Sequence, residues 1–131
     1  MNLIVTGGCG FIGSALIRFL IKKTDHNVLN IDKLTYAANL DSLKSISQSS
    51  RYELFKGDIL DHKNISELFF KFKPNAVFHL AAESHVDNSI TDPINFVSTN
   101  VTGTATMLDV ATKYWLSEDK NGKENFRFHH I

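Results

Sequence analysis

The sequence has little that would fit a secreted, membrane-spanning or nucleic-acid-binding protein. Cys9 is its single cysteine, which excludes an internal disulfide and is typical of a reducing cytoplasm. No apolar run reaches the roughly 20 residues of a membrane span, and glycines interrupt the apolar start where a signal peptide would need continuity. Lysine plus arginine and aspartate plus glutamate number 14 each, with no run of one sign. We therefore expect a cytoplasmic protein whose partners include neither a membrane nor a nucleic acid.

The chain alternates short apolar runs with longer runs of helical periodicity. Its 131 residues, 43% of them apolar, suffice for one domain with a buried core. The predicted strands are residues 2–6, 28–31, 52–56, 76–81 and 126–131. Helical periodicity lies between them, and this alternation predicts an α/β fold with a parallel sheet covered on both faces. Right-handed crossovers favour a Rossmann-like doubly wound sheet of strand order 3-2-1-4-5, truncated after strand five.

Apolar spacing also predicts which helix faces are buried. The face expected for the first helix consists of Phe11, Ile12, Ala15, Leu16, Phe19 and Leu20. After the capping residue Asp61, the expected face is Ile65, Leu68, Phe69 and Phe72. A long helix follows Asp92-Pro93, with Val97, Val101, Ala105, Leu108, Ala111 and Trp115 as its apolar face. The polar residues 117–125 are predicted to form a surface loop, and residues 40–46 a short helix.

A glycine-rich turn, GGCGFIG, follows the first strand directly. Gly7, Gly10 and Gly13 permit a tight turn, and the pattern G-x-G-x-x-G is also present through Gly8. The helix that begins there would direct its free N–H groups and positive dipole end at a pyrophosphate. This context predicts a dinucleotide-binding site.

Asp32, at the end of the second strand, stands 19 residues beyond Gly13. A carboxylate there accepts hydrogen bonds from an adenosine ribose and repels a 2′-phosphate, which favours NAD over NADP. Lys33 beside it would weaken that repulsion. Asp58, after the third strand, is placed either to meet the adenine or to serve only as a turn residue after Gly57.

Two features of the sequence would suit chemistries other than a cofactor site. A thiol near a helix N-terminus has a lowered pKa, which would suit a redox role for Cys9, although the turn requires no more than a small side chain there. His79, His85, His129 and His130 suggest a metal, but their spacing matches no familiar site. We expect no metal.

Three stretches together resemble the dTDP-glucose 4,6-dehydratases, extended short-chain dehydrogenase/reductases that act on nucleotide sugars. They are TGGCGFIG at residues 6–13, DKLTYA at 32–37 and HLAAESHVD at 79–87. The resemblance spans the whole chain and implies an NAD-dependent lyase of deoxysugar biosynthesis, which converts dTDP-glucose to the 4-keto-6-deoxy sugar. It also implies a homodimer formed through helices, of which residues 91–115 would be one.

The resemblance assigns binding residues position by position. The implied cofactor contacts are Phe11, Ile12, Asp32, Lys33, Leu34, Thr35, Asp58, Ile59, Leu80, Ala81, Ala82, Glu83, Ser84 and Thr99, in addition to Gly7, Gly10 and Gly13 of the glycine-rich turn. Ser84 would also touch the sugar nucleotide. Two positions depart from the family pattern: Ala38 stands where glycine is usual, and Asn88 where arginine is usual.

The resemblance assigns no catalytic residue to this chain. The family's base is the tyrosine of a helical Y-x-x-x-K pair, and its acid–base pair is an Asp-Glu after strand five. Tyr52 and Lys56 have the spacing, but on a strand they are separated by roughly 13 Å, against about 6 Å on a helix. Glu83 and Asp87, in a predicted loop, would be a replacement pair for which the family offers no support.

We therefore expect residues 1–131 to be the NAD-binding N-terminal portion of a nucleotide-sugar dehydratase, without later strands and a substrate domain, and inactive alone. Two alternatives remain open at this stage. One is a fragment of a nucleotide-sugar epimerase, and the other is a free-standing dinucleotide-binding module without chemistry.

Overall fold

The computed structural model describes the backbone of residues 1–131 and every side chain except that of Asn88. Five strands form one sheet: β1 (Asn2–Thr6), β2 (Asn27–Asp32), β3 (Tyr52–Lys56), β4 (Ala76–His79) and β5 (Arg127–His130). The helices are α1 (Phe11–Lys23), α2 (His62–Phe72), α3 (Val86–Thr91), α4 (Pro93–Val97), α5 (Thr104–Ser117) and α6 (Lys120–Asn125). A 3₁₀ turn covers Leu40–Leu43, and a π-helical turn, Ser98–Gly103, joins α4 to α5.

All four strand pairings are parallel, in the order β3-β2-β1-β4-β5. This confirms the predicted Rossmann-like sheet. Side chains alternate between the two faces of a strand, so β1 directs Ile4 to one face and Leu3 and Val5 to the other. Helices α2 and α5 cover the Ile4 face, while α1 and the Leu40–Leu43 turn cover the opposite one.

The two predicted helix-capping residues are confirmed. The Asp61 carboxylate accepts the Asn64 amide at the start of α2, and the Asp92 carboxylate accepts the Asn95 amide at the start of α4. These bonds satisfy N–H groups that have no partner within the helix. The buried face of α2 is also as predicted, with Ile65 and Phe69 in the core.

The predicted face of α1 is confirmed at Leu20, which is buried, and at Leu16, which packs against the core, but it is wrong at its other four residues. The residues that it buries are Gly13, Ser14, Ile17, Leu20 and Ile21, whereas Phe11, Ile12 and Phe19 are exposed. A Cβ at Gly13 would overlap the Gly7 carbonyl oxygen and would lie 2.7 Å from the Gly8 Cα atom. The helix therefore turns its glycine toward the preceding loop, and this close approach determines which side chains enter the core.

The predicted face of the long helix is confirmed only at Ala111 and is wrong at its other five residues. Its core residues are Met107, Val110, Ala111 and Tyr114, while Val97, Val101 and Leu108 are exposed. The helix is interrupted by the π-helical turn, whose wider hydrogen-bonding spacing shifts the rotation of residues on either side. A uniform period of 3.6 residues therefore does not describe this segment.

Two predicted loops contain helices. Residues 117–125 include α6, in which the Asp119 carboxylate caps the Gly122 amide and the Trp115 indole donates to the Lys123 carbonyl oxygen at 3.0 Å. This contact between helices is not visible in local composition. Asp87, expected in a loop, lies in the first turn of α3.

Candidate functional site

A pocket of about 680 Å³ lies at the carboxyl ends of β1, β2, β3 and β4. In a doubly wound sheet, ligands bind at this edge, where the strand order reverses. Here β2 and β3 are added on one side of β1, and β4 and β5 are added on its other side. The reversal of strand order therefore falls between β1 and β4. The topology therefore places the pocket at the expected switch point.

The glycine turn forms the floor of this pocket. Gly7 has a φ of +68°, and a Cβ on it would lie 2.8 Å from the Ala81 backbone nitrogen and Cα atom. Only glycine tolerates both conditions. The Gly10 amide donates to the Gly7 carbonyl oxygen at 3.1 Å and closes the turn just before α1 begins. No described side chain caps α1, and no acidic residue lies in its first turn. Its N-terminal N–H groups therefore suit a phosphate group.

Asp32 organises the turn and faces the pocket. Its two carboxylate oxygens accept the backbone N–H groups of Cys9 and Leu34, each at 2.8 Å. An ionised carboxylate has about four acceptor sites, so two remain for ribose hydroxyls. Its negative charge at this depth disfavours a 2′-phosphate. The chemistry of the residues present thus fits a dinucleotide, with pyrophosphate at α1 and ribose at Asp32.

Lys33 is paired with Asp58 and not with Asp32. Its ammonium group lies 2.7 Å from Asp58 Oδ2, while Asp58 Oδ1 accepts the Leu60 amide at 3.0 Å. Partial burial by itself would raise the pKa of Asp58, but the hydrogen bonds from Lys33 and Leu60 and the lysine charge leave that pKa lowered. Asp58 therefore combines the turn role with a place in the pocket wall.

Seventeen residues are predicted to contact the cofactor, and sixteen of them line this pocket, including the predicted sugar-nucleotide contact Ser84. Leu34 is the exception. Its φ is +59°, its amide is held by Asp32, and its side chain packs against the core on the α1 face. Its contribution is thus to shape the loop. Whether the other sixteen bind a cofactor remains a prediction.

Six further residues line the pocket that were not assigned to it from the sequence: Ile31, Gly57, Ala37, Ala38, His85 and Ile131. Ile31, Gly57 and His85 adjoin assigned residues, so a wider window around each motif would have included them. Ile131 has no such signal, since it reaches the pocket only because β5 pairs with β4. The second departure from the family pattern, Asn88, falls on a side chain outside the described part of the structure.

The alternative site residues do not converge. Glu83 lines the pocket, but Asp87 is absent from its described lining, so the two carboxylates do not form a pair there. His79 is buried and His85 lines the pocket, while His129 and His130 are exposed on β5. Among the described residues, no group of three or more His, Cys, Asp or Glu could hold a metal ion.

Cys9 is not an activated thiol. Burial, followed by the charge of Asp32, raises its pKa to about 11. The lowered pKa expected from the helix N-terminus is therefore wrong, because desolvation outweighs the helix dipole. The sulfur accepts a hydrogen bond from Asn30 Nδ2 at 3.4 Å and packs in the core. A structural role follows.

Tyr52 and Lys56 lie on β3, as predicted, and neither belongs to the described pocket lining. The Tyr52 hydroxyl accepts a hydrogen bond from Asn30 Nδ2 at 3.0 Å. Burial raises the pKa of Tyr52, and the opposing effect of the Asn30 hydrogen bond is smaller. This tyrosine is unsuited to proton transfer in the pocket.

In the part of the chain that the structure describes, every helix is too short or too polar to span a bilayer.

Together, the sheet, the glycine turn and the pocket are typical of a dinucleotide-binding α/β protein. The chain belongs to the GDP-mannose 4,6 dehydratase family, whose model matches residues 4–131. It is 55% identical over all 131 residues to the dTDP-glucose 4,6-dehydratase of Salmonella typhimurium and covers 36% of that protein.

Two solved dehydratase structures are similar to this chain in fold and sequence. The dTDP-glucose 4,6-dehydratase of Bacillus anthracis, in complex with NAD, has a TM-score of 0.82 and 30% identity over 99% of this chain. DesIV, a dTDP-glucose 4,6-dehydratase from Streptomyces venezuelae with NAD and TYD bound, has a TM-score of 0.80 and 40% identity over 87% of it. In both cases the match covers 36% of the solved chain. The chain thus spans little more than a third of these relatives.

Proposed function

We propose that this chain is the NAD-binding part of a nucleotide-sugar 4,6-dehydratase whose substrate is dTDP-glucose. The observation that carries the proposal is the pocket at the switch point, where an uncapped helix N-terminus and Asp32 lie at its two assigned subsites. The 55% identity to a dehydratase with this printed name supports the substrate. It also favours dehydration over the epimerase alternative.

NAD would supply the acceptance and return of a hydride. The residues of this chain would then bind and orient it: Gly7 and the start of α1 at the pyrophosphate, Asp32 at the ribose, and the segment from Leu80 to Ser84 at the nicotinamide half. Ser84 would also contact the sugar nucleotide.

The proposal includes no proton-transfer residue from this chain. A base for the sugar hydroxyl must reach the reacting atom within hydrogen-bonding distance. Tyr52 lies on β3 and Asp87 on α3, both outside the described pocket lining, and Glu83 lines the pocket without Asp87, the partner that a replacement acid–base pair would need. We therefore expect the 131-residue chain to bind NAD without converting dTDP-glucose.

The direct test is calorimetric titration of the chain with NAD⁺ and with NADP⁺, followed by an assay for the 4-keto-6-deoxy sugar. NAD⁺ should bind at least about tenfold more tightly than NADP⁺, because Asp32 repels the 2′-phosphate. No product should form. Failure of both nucleotides to bind would overturn the proposed cofactor role, and product formation would overturn the absence of a catalytic residue.

We further propose that two copies associate through the α3–α5 region. Ile90, Ile94, Val97, Val101 and Leu108 are large apolar residues of this region, and each is at least 46% exposed. Exposed apolar residues concentrated on one segment are typical of an interface. We also place the protein in the cytoplasm, in keeping with its single reduced cysteine.

A further inference from the structure

A buried hydrogen-bonded chain links the ends of β1 and β4 to the start of α5. Thr6 and His79 are the last residues of their strands, form a register pair, and are both completely buried. Thr6 Oγ1 lies 2.7 Å from His79 Nδ1. On the other side of the ring, His79 Nε2 lies 3.1 Å from Thr104 Oγ1. Thr6, His79 and Thr104 are not among the described residues that line the pocket.

The partners of Thr6 determine the direction of every bond in the chain. The Ala81 backbone N–H donates to Thr6 Oγ1 at 3.1 Å, and the Leu80 N–H is shared between Thr6 Oγ1 and the Thr6 backbone carbonyl oxygen, each at 3.2 Å. A hydroxyl has two lone pairs and one hydrogen, so the two amides use its acceptor capacity and its hydrogen goes to His79 Nδ1. The neutral imidazole then carries its own hydrogen on Nε2 and donates it to Thr104.

We propose that His79, as the Nε2–H tautomer, is a positioning residue for the pocket wall, acting through the Thr6 hydroxyl on the amides of Leu80 and Ala81. Without an acceptor at Nδ1, the hydroxyl is free to rotate, and its lone pairs no longer face both amides. His79 therefore does not touch a ligand itself. It determines where the polypeptide that leaves β4 enters the pocket.

The position of that segment matters because it contacts the glycine turn directly. The Ala81 backbone occupies the space that a Cβ on Gly7 would require. At the far end of the segment, the Asn100 side chain exchanges two hydrogen bonds with the backbone of Glu83, each 2.9 Å long. The segment is thus anchored at both ends, by Thr6 at its start and by Asn100 at its end.

The environment keeps the histidine neutral, as this arrangement requires. Burial, together with the nearby His130, lowers the pKa of His79 to about 4. An imidazolium would carry hydrogens on both nitrogens, and its Nδ1–H would face the hydroxyl hydrogen of Thr6.

The tautomer can be read directly by ¹⁵N NMR of the 131-residue chain labelled at histidine. At pH 7, His79 should show a protonated Nε2 and an unprotonated Nδ1. A protonated Nδ1 would overturn the proposal, whatever the outcome with NAD.

The positioning role is tested with Thr6→Val, which keeps the shape and removes the hydroxyl, and with Thr6→Ser, which keeps the hydroxyl. Amide hydrogen exchange at Ala81 should accelerate at least about tenfold in Thr6→Val and change little in Thr6→Ser, whereas the Leu80 amide keeps the Thr6 carbonyl oxygen as an acceptor and should accelerate less. Thr112→Val, at an exposed position on α5, is the matched control and should leave both amides unchanged. Equal exchange in Thr6→Val and the wild type would overturn the role.

A second pair of variants covers the case in which Thr6→Val does not fold. His79→Asn retains a short acceptor near the position of Nδ1, whereas His79→Leu retains none. Protection of the Ala81 amide should be largely kept in His79→Asn and lost in His79→Leu. Equal protection in the two variants would overturn the role of the acceptor.

NAD⁺ titration of the same variants rests on the proposed function and is read separately. Affinity should fall about tenfold in Thr6→Val and His79→Leu and remain near that of the wild type in Thr6→Ser. If the wild-type chain does not bind NAD⁺, the proposed function fails, while the tautomer and the exchange rates still decide the role of His79.

Discussion

The Tyr36 hydroxyl donates a hydrogen bond to the Glu83 carboxylate at 3.0 Å and joins two pocket-lining segments that are 47 residues apart in sequence. One segment follows β2 and includes Thr35 and Ala37, while the other follows β4. The Tyr36 ring also meets the His85 ring edge-on, with centroids 5.3 Å apart. These contacts bridge the two segments beside the proposed cofactor site.

The bridge should slow the release of NAD. In Tyr36→Phe the ring remains and the hydrogen bond is lost, so we expect NAD to dissociate about two- to tenfold faster, as for a partly exposed hydrogen bond. Stopped-flow displacement measures this rate. Glu83→Gln keeps an acceptor oxygen and should have a smaller effect. An unchanged dissociation rate in Tyr36→Phe would show that the bridge does not restrain the ligand.

The charge of Asp32 should set the preference between NAD and NADP. Asp32→Asn removes the negative charge at nearly constant volume, so the preference for NAD should fall by about tenfold as the repulsion of the 2′-phosphate is lost. Titration with both nucleotides measures the ratio. Asp41→Asn, an exposed residue of the 3₁₀ turn, is the control. An unchanged ratio of NAD to NADP affinities in Asp32→Asn would show that the Asp32 carboxylate does not contact the ribose.

Alanine at two glycines should separate folding from binding. A Cβ at Gly13 would overlap backbone atoms of Gly7, so Gly13→Ala should lower the free energy of unfolding by about 3 kcal/mol. At Gly10 the nearest atom is the Gly7 carbonyl oxygen at 3.3 Å, which needs to shift by only a few tenths of an ångström, so Gly10→Ala should lose less stability than Gly13→Ala. Gly10 lines the pocket, however, and its alanine variant should bind NAD more weakly. Urea unfolding and NAD titration measure the two effects, and equal stability losses would contradict the close approach at Gly13.

The buried His79 should make the protein less stable in acid. Its pKa is about 4 in the folded chain, against 6.5 when unperturbed, because burial and His130 disfavour its charged form. Between these values the unfolded chain binds more protons, so stability is complete above pH 6.5 and is lost as the pH falls toward 4. The loss from this group should approach about 3 kcal/mol.

Urea unfolding at pH 7.0, 5.5 and 4.5 measures this dependence. His129→Gln replaces an exposed histidine on the same sheet edge and should retain it. His79→Asn should flatten the curve, because it removes the titrating group. A wild-type stability that does not change between pH 7.0 and 4.5 would contradict a neutral buried imidazole.

The exposed apolar residues of the α3–α5 region should support association. Val101→Glu combined with Leu108→Glu places two charges on that surface, so a dimer of the wild-type chain should become monomeric. Sedimentation equilibrium measures the change. Phe19→Glu, which alters an exposed apolar residue on α1, is the control and should leave association unchanged. A wild-type chain that stays monomeric at high concentration would contradict the proposed interface.

Local sequence was sufficient where a residue acts on its own neighbourhood. Asp61 and Asp92 cap helices because a short acidic side chain reaches an amide three residues ahead. Alternating elements of the right length were enough to predict the parallel sheet and its strand order, since crossovers have one hand. The glycine turn and Asp32 indicated the site because strand ends meet at one edge.

Tertiary contacts decided what local periodicity could not. The buried face of α1 depends on the close approach of Gly13 to Gly7, and that of α5 on a π-helical turn with a different period. Lys33 pairs with Asp58 across two strands, and Ile131 reaches the pocket through strand pairing. Cys9 and His79 owe their shifted pKa values to burial, which desolvates their charged forms. The sequence by itself thus determined the order of elements and the position of the site, whereas packing decided which atoms face it and in which protonation state.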